Sequence, residues 1–444
     1  MTKRSRSRTL SRRDFLKLGG GAMAATIGAG LLPRGLKALL RPTSVATAAA
    51  NAATLSVPAA DVPPNLHLIG TDGWAYMPGP AIPPYHPDAW APSPFTTYIF
   101  GLRDVTALTP QQVQAQKGKV QISAPIIGVD QEAEFRMQLS NPGFIMRPDL
   151  VDSHTIHWHG FRNQTAYFDG EPMGSVSVPP GRTMMYFYKP HDPGTYMYHC
   201  HFEDTEHIHM GMTGVLYVRP IQNQGVGDIP PGKYAYNDGD GSTAYDREFA
   251  IFLADSWAKG HWDDVHIQVS DWSDYRPDFW LMNGRVYPDT LAPNGSGADP
   301  VTGDLIAPTG RPDLQYQPIS SLIQANEGER VLLRLVNLGF QLPAMTLTGL
   351  RMRVVGKDAT LLRGRDATDL SYLTNTVFIG SGESVDAIFT APPYQGPDPY
   401  NTYLLYNRSY AHLHNAGGPG YGGQMTEVRI FPEGTLPAQT GPNT

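Results

Sequence analysis

Phe135-Arg136-Met137-Gln138-Leu139-Ser140-Asn141-Pro142-Gly143 and Val331-Leu332-Leu333-Arg334-Leu335-Val336-Asn337-Leu338-Gly339 are two versions of one segment. Both alternate with the period of a half-buried strand. Three more segments recur after each in the same order. Pro180-Gly181-Arg182 with the strand at 184–187 matches Ser381-Gly382-Glu383 with 385–388. Thr195-Tyr196-Met197-Tyr198 matches Thr402-Tyr403-Leu404-Leu405, and Met212-Thr213-Gly214-Val215 matches Met425-Thr426-Glu427-Val428. Four segments in one order predict a duplicated all-β sandwich.

Composition agrees. The 40 prolines and 46 glycines break long helices and favour short strands joined by turns. Of the 444 residues, about 390 come after the first 53, more than the ~250–300 that one core usually holds, so two domains are expected. A Pro-, Gly- and Asn-rich stretch between Pro220 and about Tyr234 separates them, giving domains 54–220 and 221–444.

Residues 1–53 are set aside. Ser11-Arg12-Arg13-Asp14-Phe15-Leu16-Lys17 reads as a twin-arginine export signal, and the Ala-rich run 46–53 offers small-residue cleavage sites. The mature chain is therefore expected in the periplasm or outside the cell. No later stretch approaches the roughly 18 consecutive apolar residues of a spanning helix, so no transmembrane segment is expected. Acidic residues outnumber basic ones 41 to 34, and no basic block comes after the signal, which argues against nucleic acid as a partner.

Cys200 is the only cysteine, so it forms no internal disulfide. It stands in Tyr198-His199-Cys200-His201, and eight of the fourteen histidines fall between positions 154 and 209. Thiolate, imidazole and thioether together suit copper. In His154-Thr155-Ile156-His157-Trp158-His159-Gly160, the period of a strand puts His157 and His159 on one face. His199 and His201 share a face by the same rule, and Cys200 points to the other. Two metal environments are implied, one on each side. A blue-copper centre takes two imidazoles, a thiolate and a weak axial thioether. His154 and Cys200 supply the first two donors. His207 and Met212, five apart in the loop after the cysteine, supply the rest.

On these motifs, residues 153–218 resemble the copper-binding repeat of multicopper oxidases, the laccase family. The family's His-x-x-His-x-His-Gly matches 154–160 and its His-Cys-His strand matches 199–201. The resemblance implies two consecutive cupredoxin-like (plastocyanin-like) Greek-key β-sandwich domains. It also implies a type 1 copper on His154, Cys200, His207 and Met212. His157, His159, His199 and His201 would then be half the ligands of a three-copper cluster that reduces dioxygen. The loop between cysteine and histidine is two residues longer here than the usual laccase spacing.

The second half departs from the pattern. Thr346-Leu347-Thr348-Gly349 stands for His157-Trp158-His159-Gly160, and Tyr406-Asn407-Arg408 for His199-Cys200-His201. All four expected histidines are missing, and another copy of the chain carries the same losses. No standard trinuclear cluster is expected. His412-Leu413-His414, in a Gly-rich loop, reads first as a pair of surface groups and second as extra ligands to the four-histidine face. The leading functional expectation is an exported copper oxidoreductase that takes single electrons from a small-molecule or metal-ion reductant and passes them to a His-bound metal site, with dioxygen a candidate acceptor. The alternative is a non-catalytic blue-copper electron carrier. A copper nitrite reductase using His199, His159 and His412 or His414 ranks lower, because those enzymes carry an acid where His157 stands. Two-domain relatives imply a homotrimer.

Overall fold

A computed structural model describes residues 63–162 and 165–444, so the export-signal segment lies outside the described residues. Residues from Pro64 to Thr444 cluster as one compact unit. Its first half has eight strands: β1 (Leu66–Ala75), β2 (Thr97–Asp104), β3 (Ile127–Asp130), β4 (Phe135–Asn141), β5 (His157–His159), β6 (Arg182–Tyr188), β7 (Gly194–His199) and β8 (Thr213–Arg219). They form two sheets, β2-β1-β4-β6 and β3-β8-β7-β5, so the chain passes repeatedly from one sheet to the other.

The second half has twelve strands: β9 (Arg247–Ser256), β10 (Phe279–Met282), β11 (Ile323–Asn326), β12 (Arg330–Asn337), β13 (Ala344–Leu347), β14 (Met352–Lys357), β15 (Thr360–Leu361), β16 (Tyr372–Thr374), β17 (Thr376–Phe378), β18 (Glu383–Thr390), β19 (Asn401–Asn407) and β20 (Met425–Phe431). Leaving out β14 to β17, their orders are β10-β9-β12-β18 and β11-β20-β19-β13, the same as in the first half. The parallel pairs recur as well: β1 on β4 and β9 on β12, β3 on β8 and β11 on β20. The fold is a duplicated cupredoxin-type sandwich, as the repeat predicts. Asn141 and Asn337 end their strands alike, each side chain accepting from the N–H of the glycine two residues on, at 2.8 and 3.0 Å.

Two expectations need correction. The fourth repeat pairing is one residue out of register. Cys200 donates its N–H to the Met212 carbonyl, and Asn407 donates to that of Gln424, so Met212 corresponds to Gln424 rather than Met425. The shared Met-Thr pair drew the alignment off, whereas strand pairing sets the register. The alternation expected of both members of the opening pair also holds only for β4. In β12 every residue after Arg330 is buried, because its second face lies under the first sandwich. There Arg334 ion-pairs with Glu248 at 2.8 Å and donates to the Thr195 hydroxyl of β7 at 2.9 Å.

Among the described residues, three short α-helices decorate the sheets: α1 (Pro110–Gln114), α2 (Asp204–Met210) and α3 (Ala258–Val265). α2 fills the loop between Cys200 and Met212.

Candidate metal centre

Strand pairing builds the site. β5 runs antiparallel to β7 with His157 opposite His199, and Cys200 comes directly after β7. Trp158, between two histidines, points into the core and stacks on Tyr188 at 3.7 Å, so His157 and His159 share the outer face. Cys200 points inward and is fully buried beside Met212.

Around the sulfur the donors converge. Ligand atoms of His154, Cys200 and His207 lie within 4.8 Å of one another, and all three residues are buried. The Cys200 sulfur sits 3.2 Å from Nδ1 of His207 and accepts from the Thr155 N–H at 3.4 Å. The two imidazoles meet edge to face at 5.2 Å. His154 has neither ring nitrogen hydrogen-bonded although both are buried. A buried polar atom left unpaired costs roughly 1–3 kcal/mol, so an imidazole with two such atoms fits a ligand awaiting a metal. Met212 donates its N–H to the His207 carbonyl at 2.9 Å, which ties Met212 to the loop.

Electrostatics favour the same reading. Burial opposes ionisation of the Cys200 thiol, but the neighbouring His207 charge and three hydrogen bonds bring it below its ordinary value. Burial likewise opposes the His207 charge, yet the Cys200 thiolate and Asp152 raise that imidazole above its ordinary value. His154 is pushed well down by burial and by the His207 charge, and stays neutral. The charged forms of Cys200 and His207 thus favour each other, beside a neutral His154. A copper ion would displace one proton there.

On the other face, ligand atoms of His157, His159 and His199 lie within 4.8 Å of one another. Nδ1 of His157 donates to the Asp169 carbonyl at 2.6 Å, and Nδ1 of His199 to the Cys200 carbonyl at 2.9 Å. Burial, partly countered by that hydrogen bond, pushes His199 down to about 3, and burial lowers His157 and His159 too. His201 is at the margin. Its ring is 5.2 Å from that of His157, but its Nδ1 faces Asp204 at 3.9 Å.

His412 and His414 lie elsewhere. They pack on Trp280, one stacked at 4.8 Å and one edge-on at 4.9 Å. Asn407 donates from one amide nitrogen to His412 Nδ1 at 2.9 Å and to Gln424 at 2.8 Å. Thus the second sandwich has hydrogen-bonded amides at the positions of Cys200 and Met212. His209, left without a role by its sequence context, is buried against His261 at 4.7 Å and among Trp272, Tyr275 and Phe340.

Sequence reading picked out Glu203 and Glu206 as a solvated loop edge or a place for a metal-ion substrate, but missed Asp152 and Asp264 beneath His207. Asp152 lies 3.5 Å from Nε2 of His207 and, with Arg147, Glu203, Glu206, Asp264 and Trp272, lines a 260 Å³ cavity. Arg147 pairs with Asp264 at 2.8 Å and with Asp149 at 3.0 Å. Burial, and then the charge of Glu206, raise Asp264 to about 8. No local pattern marks Asp152 or Asp264, which come from distant segments and meet only in the folded chain.

Residues 106–223 match the family model described as multicopper oxidase. That match covers the segment carrying Cys200 and its neighbouring histidines, about a quarter of the chain. Among curated proteins similar to this chain, L-ascorbate oxidase of Nicotiana tabacum is 29% identical over 261 residues, 56% of this chain and 38% of the relative. Laccase-5 of Arabidopsis thaliana is 25% identical over 269 residues, 59% and 37%. The alignment thus spans well under half of those relatives. In fold the chain is similar to the blue copper oxidase from Nitrosomonas europaea, with a TM-score of 0.54 and 20% identity over 82% of this chain and 85% of that one. It is likewise similar to the multicopper oxidase mgLAC, with a TM-score of 0.55 and 18% identity over 84% and 87%. Copper is the family's metal, and the donor set found here suits it.

Proposed function

We propose that this chain is an exported blue-copper oxidoreductase, with domains 54–220 and 221–444 and a type 1 copper held by His154, Cys200, His207 and Met212. The observation that carries the reading is the buried Cys200–His207 contact of 3.2 Å beside a His154 whose two ring nitrogens lack partners. Bound there, copper supplies one-electron chemistry. His207 presents its Nε2 edge, through Asp152, to the acid-lined cavity, where a small-molecule or metal-ion reductant approaches. Cys200 is joined by a peptide bond to His199, and its carbonyl accepts from that imidazole. Electrons leave by this link toward the outer histidines, with dioxygen as the terminal acceptor. These four histidines form half of a trinuclear set, and the threonines, Tyr406 and Arg408 of the second sandwich cannot complete it.

Export by the twin-arginine route to the periplasm or beyond rests on residues 11–17. Among the described residues no helix is long and apolar enough to cross a membrane. A homotrimer is the assembly that the family resemblance implies, and light scattering checks it. The test of function is to add copper to the metal-free chain and follow visible absorption together with oxygen consumption on phenolic or metal-ion reductants. Blue colour with copper-dependent oxygen uptake supports the oxidoreductase. The second reading, an electron carrier, is favoured by the amides at Asn407 and Gln424, and it requires blue colour without oxygen uptake.

A further inference from the structure

The outer face raises a question that the type 1 reading leaves open: how many metal ions it holds. The second sandwich brings no imidazole to it. Thr346 faces Tyr406 in β13 and β19, the places of His157 and His199, and the Thr346 hydroxyl is already bonded to that of Thr376 at 2.8 Å. What the second sandwich sets against the site instead is Gly382, where a Cβ would stand 3.2 Å from Nε2 of His159.

Within the first sandwich, three imidazoles converge. Carbonyl oxygens only accept, so the bonds to Asp169 and Cys200 fix the proton on Nδ1 of His157 and of His199. Both Nε2 atoms are thereby left unprotonated, the arrangement by which metal-binding histidines are oriented, and in the metal-free chain that of His199 accepts from Nδ1 of His159. Nδ1 of His159 lies 3.4 Å from Nε2 of His199. Two nitrogens at that separation, each about 2.05 Å from a shared ion, subtend about 110° at it, close to tetrahedral. His201 is not among the residues whose ligand atoms lie within 4.8 Å of one another.

We propose that the second metal site is mononuclear: His157, His159 and His199 hold one ion, and His201 stands outside it. This rests on the copper-protein reading above. Three neutral imidazoles suit copper, zinc or nickel, and the partly exposed His157 and His159 leave a coordination position for water or a small anion. The ion sits behind the strand that carries Cys200, so it is one imidazole and one peptide bond from the type 1 thiolate.

The test is metal analysis and electron spin resonance on the full chain loaded with Cu(II) alone. Cys200→Ser removes the type 1 site, and this background is expected to keep one copper per chain with a single axial signal. Adding His159→Gln should lose that copper, whereas adding His201→Gln should retain it. His159→Gln with Cys200 intact should stay blue, which shows that the fold survives. Two or more coppers per chain in the Cys200→Ser background, a spin-silent copper pair, or equal loss with His201→Gln and His159→Gln would overturn the proposal. Failure of the type 1 reading would appear separately, as a wild-type chain that never turns blue.

Discussion

Gly170→Ala is the substitution whose effect can be traced furthest through the structure. Gly170 has φ +78, and a Cβ there would lie 2.3 Å from the Ile156 carbonyl oxygen and 2.8 Å from the His157 nitrogen. An alanine costs roughly 1–2 kcal/mol for the left-handed backbone alone. The clash demands a further shift of about 1 Å to reach ordinary contact. That shift moves Asp169, whose carbonyl fixes His157 at 2.6 Å. Loss of such an orienting partner typically weakens metal binding 10–100-fold, about 1.4–2.7 kcal/mol. The expected result is a melting temperature a few degrees lower in the metal-free chain, and copper binding at the outer histidines weakened within that range. Blue colour at Cys200 should be unchanged. Gly227→Ala is the control, because Gly227 has φ +60 with nothing within 4 Å of its Cβ position. It should lower stability alone. If Gly170→Ala binds the outer metal as tightly as the wild type, the carbonyl of Asp169 does not orient His157.

Other perturbations test other parts. Copper uptake at Cys200 should release one proton from the His207–Cys200 pair, so affinity should fall about tenfold per unit drop in pH below the raised His207 value, as calorimetry in buffers of different ionisation enthalpy would show. That raised value makes a stabilising contribution that is complete below the ordinary imidazole value and lost as pH rises through the raised one. Thermal melts of the metal-free chain should therefore weaken on the alkaline side. Arg334→Met should cost roughly 3–5 kcal/mol in urea unfolding, because it strands Glu248 and Asp386 as buried unpaired carboxylates. Asp152→Asn should raise KM for a cationic reductant about tenfold, equivalent to about 1.4 kcal/mol, and leave KM for a neutral one unchanged.

Local chemistry was the legible part of the sequence. Strand period put Cys200 opposite in direction to His199 and His201, and His157 beside His159, and the structure has these directions. The duplication was legible because Asn141 and Asn337 end equivalent strands with the same side-chain cap. Features set by long-range packing were not. Asp152, Arg147 and Asp264 lie up to 117 residues apart and meet only in the folded chain. Gly170 looks like any loop glycine until the approach to Ile156 is seen. The one-residue slip between Met212 and Gln424 arose because matching letters outweighed a register that only the sheet defines. Burial of both faces of β12 likewise depends on the other sandwich.

The most direct test of the central claim is a titration of Cu(II) into the metal-free chain, monitored by visible absorption and spin resonance, with Cys200→Ser in parallel. The account predicts an intense blue band in the wild type that saturates with one copper at the thiolate, and a colourless Cys200→Ser chain. A wild type that binds copper without turning blue, or a Cys200→Ser chain that turns blue, would contradict it.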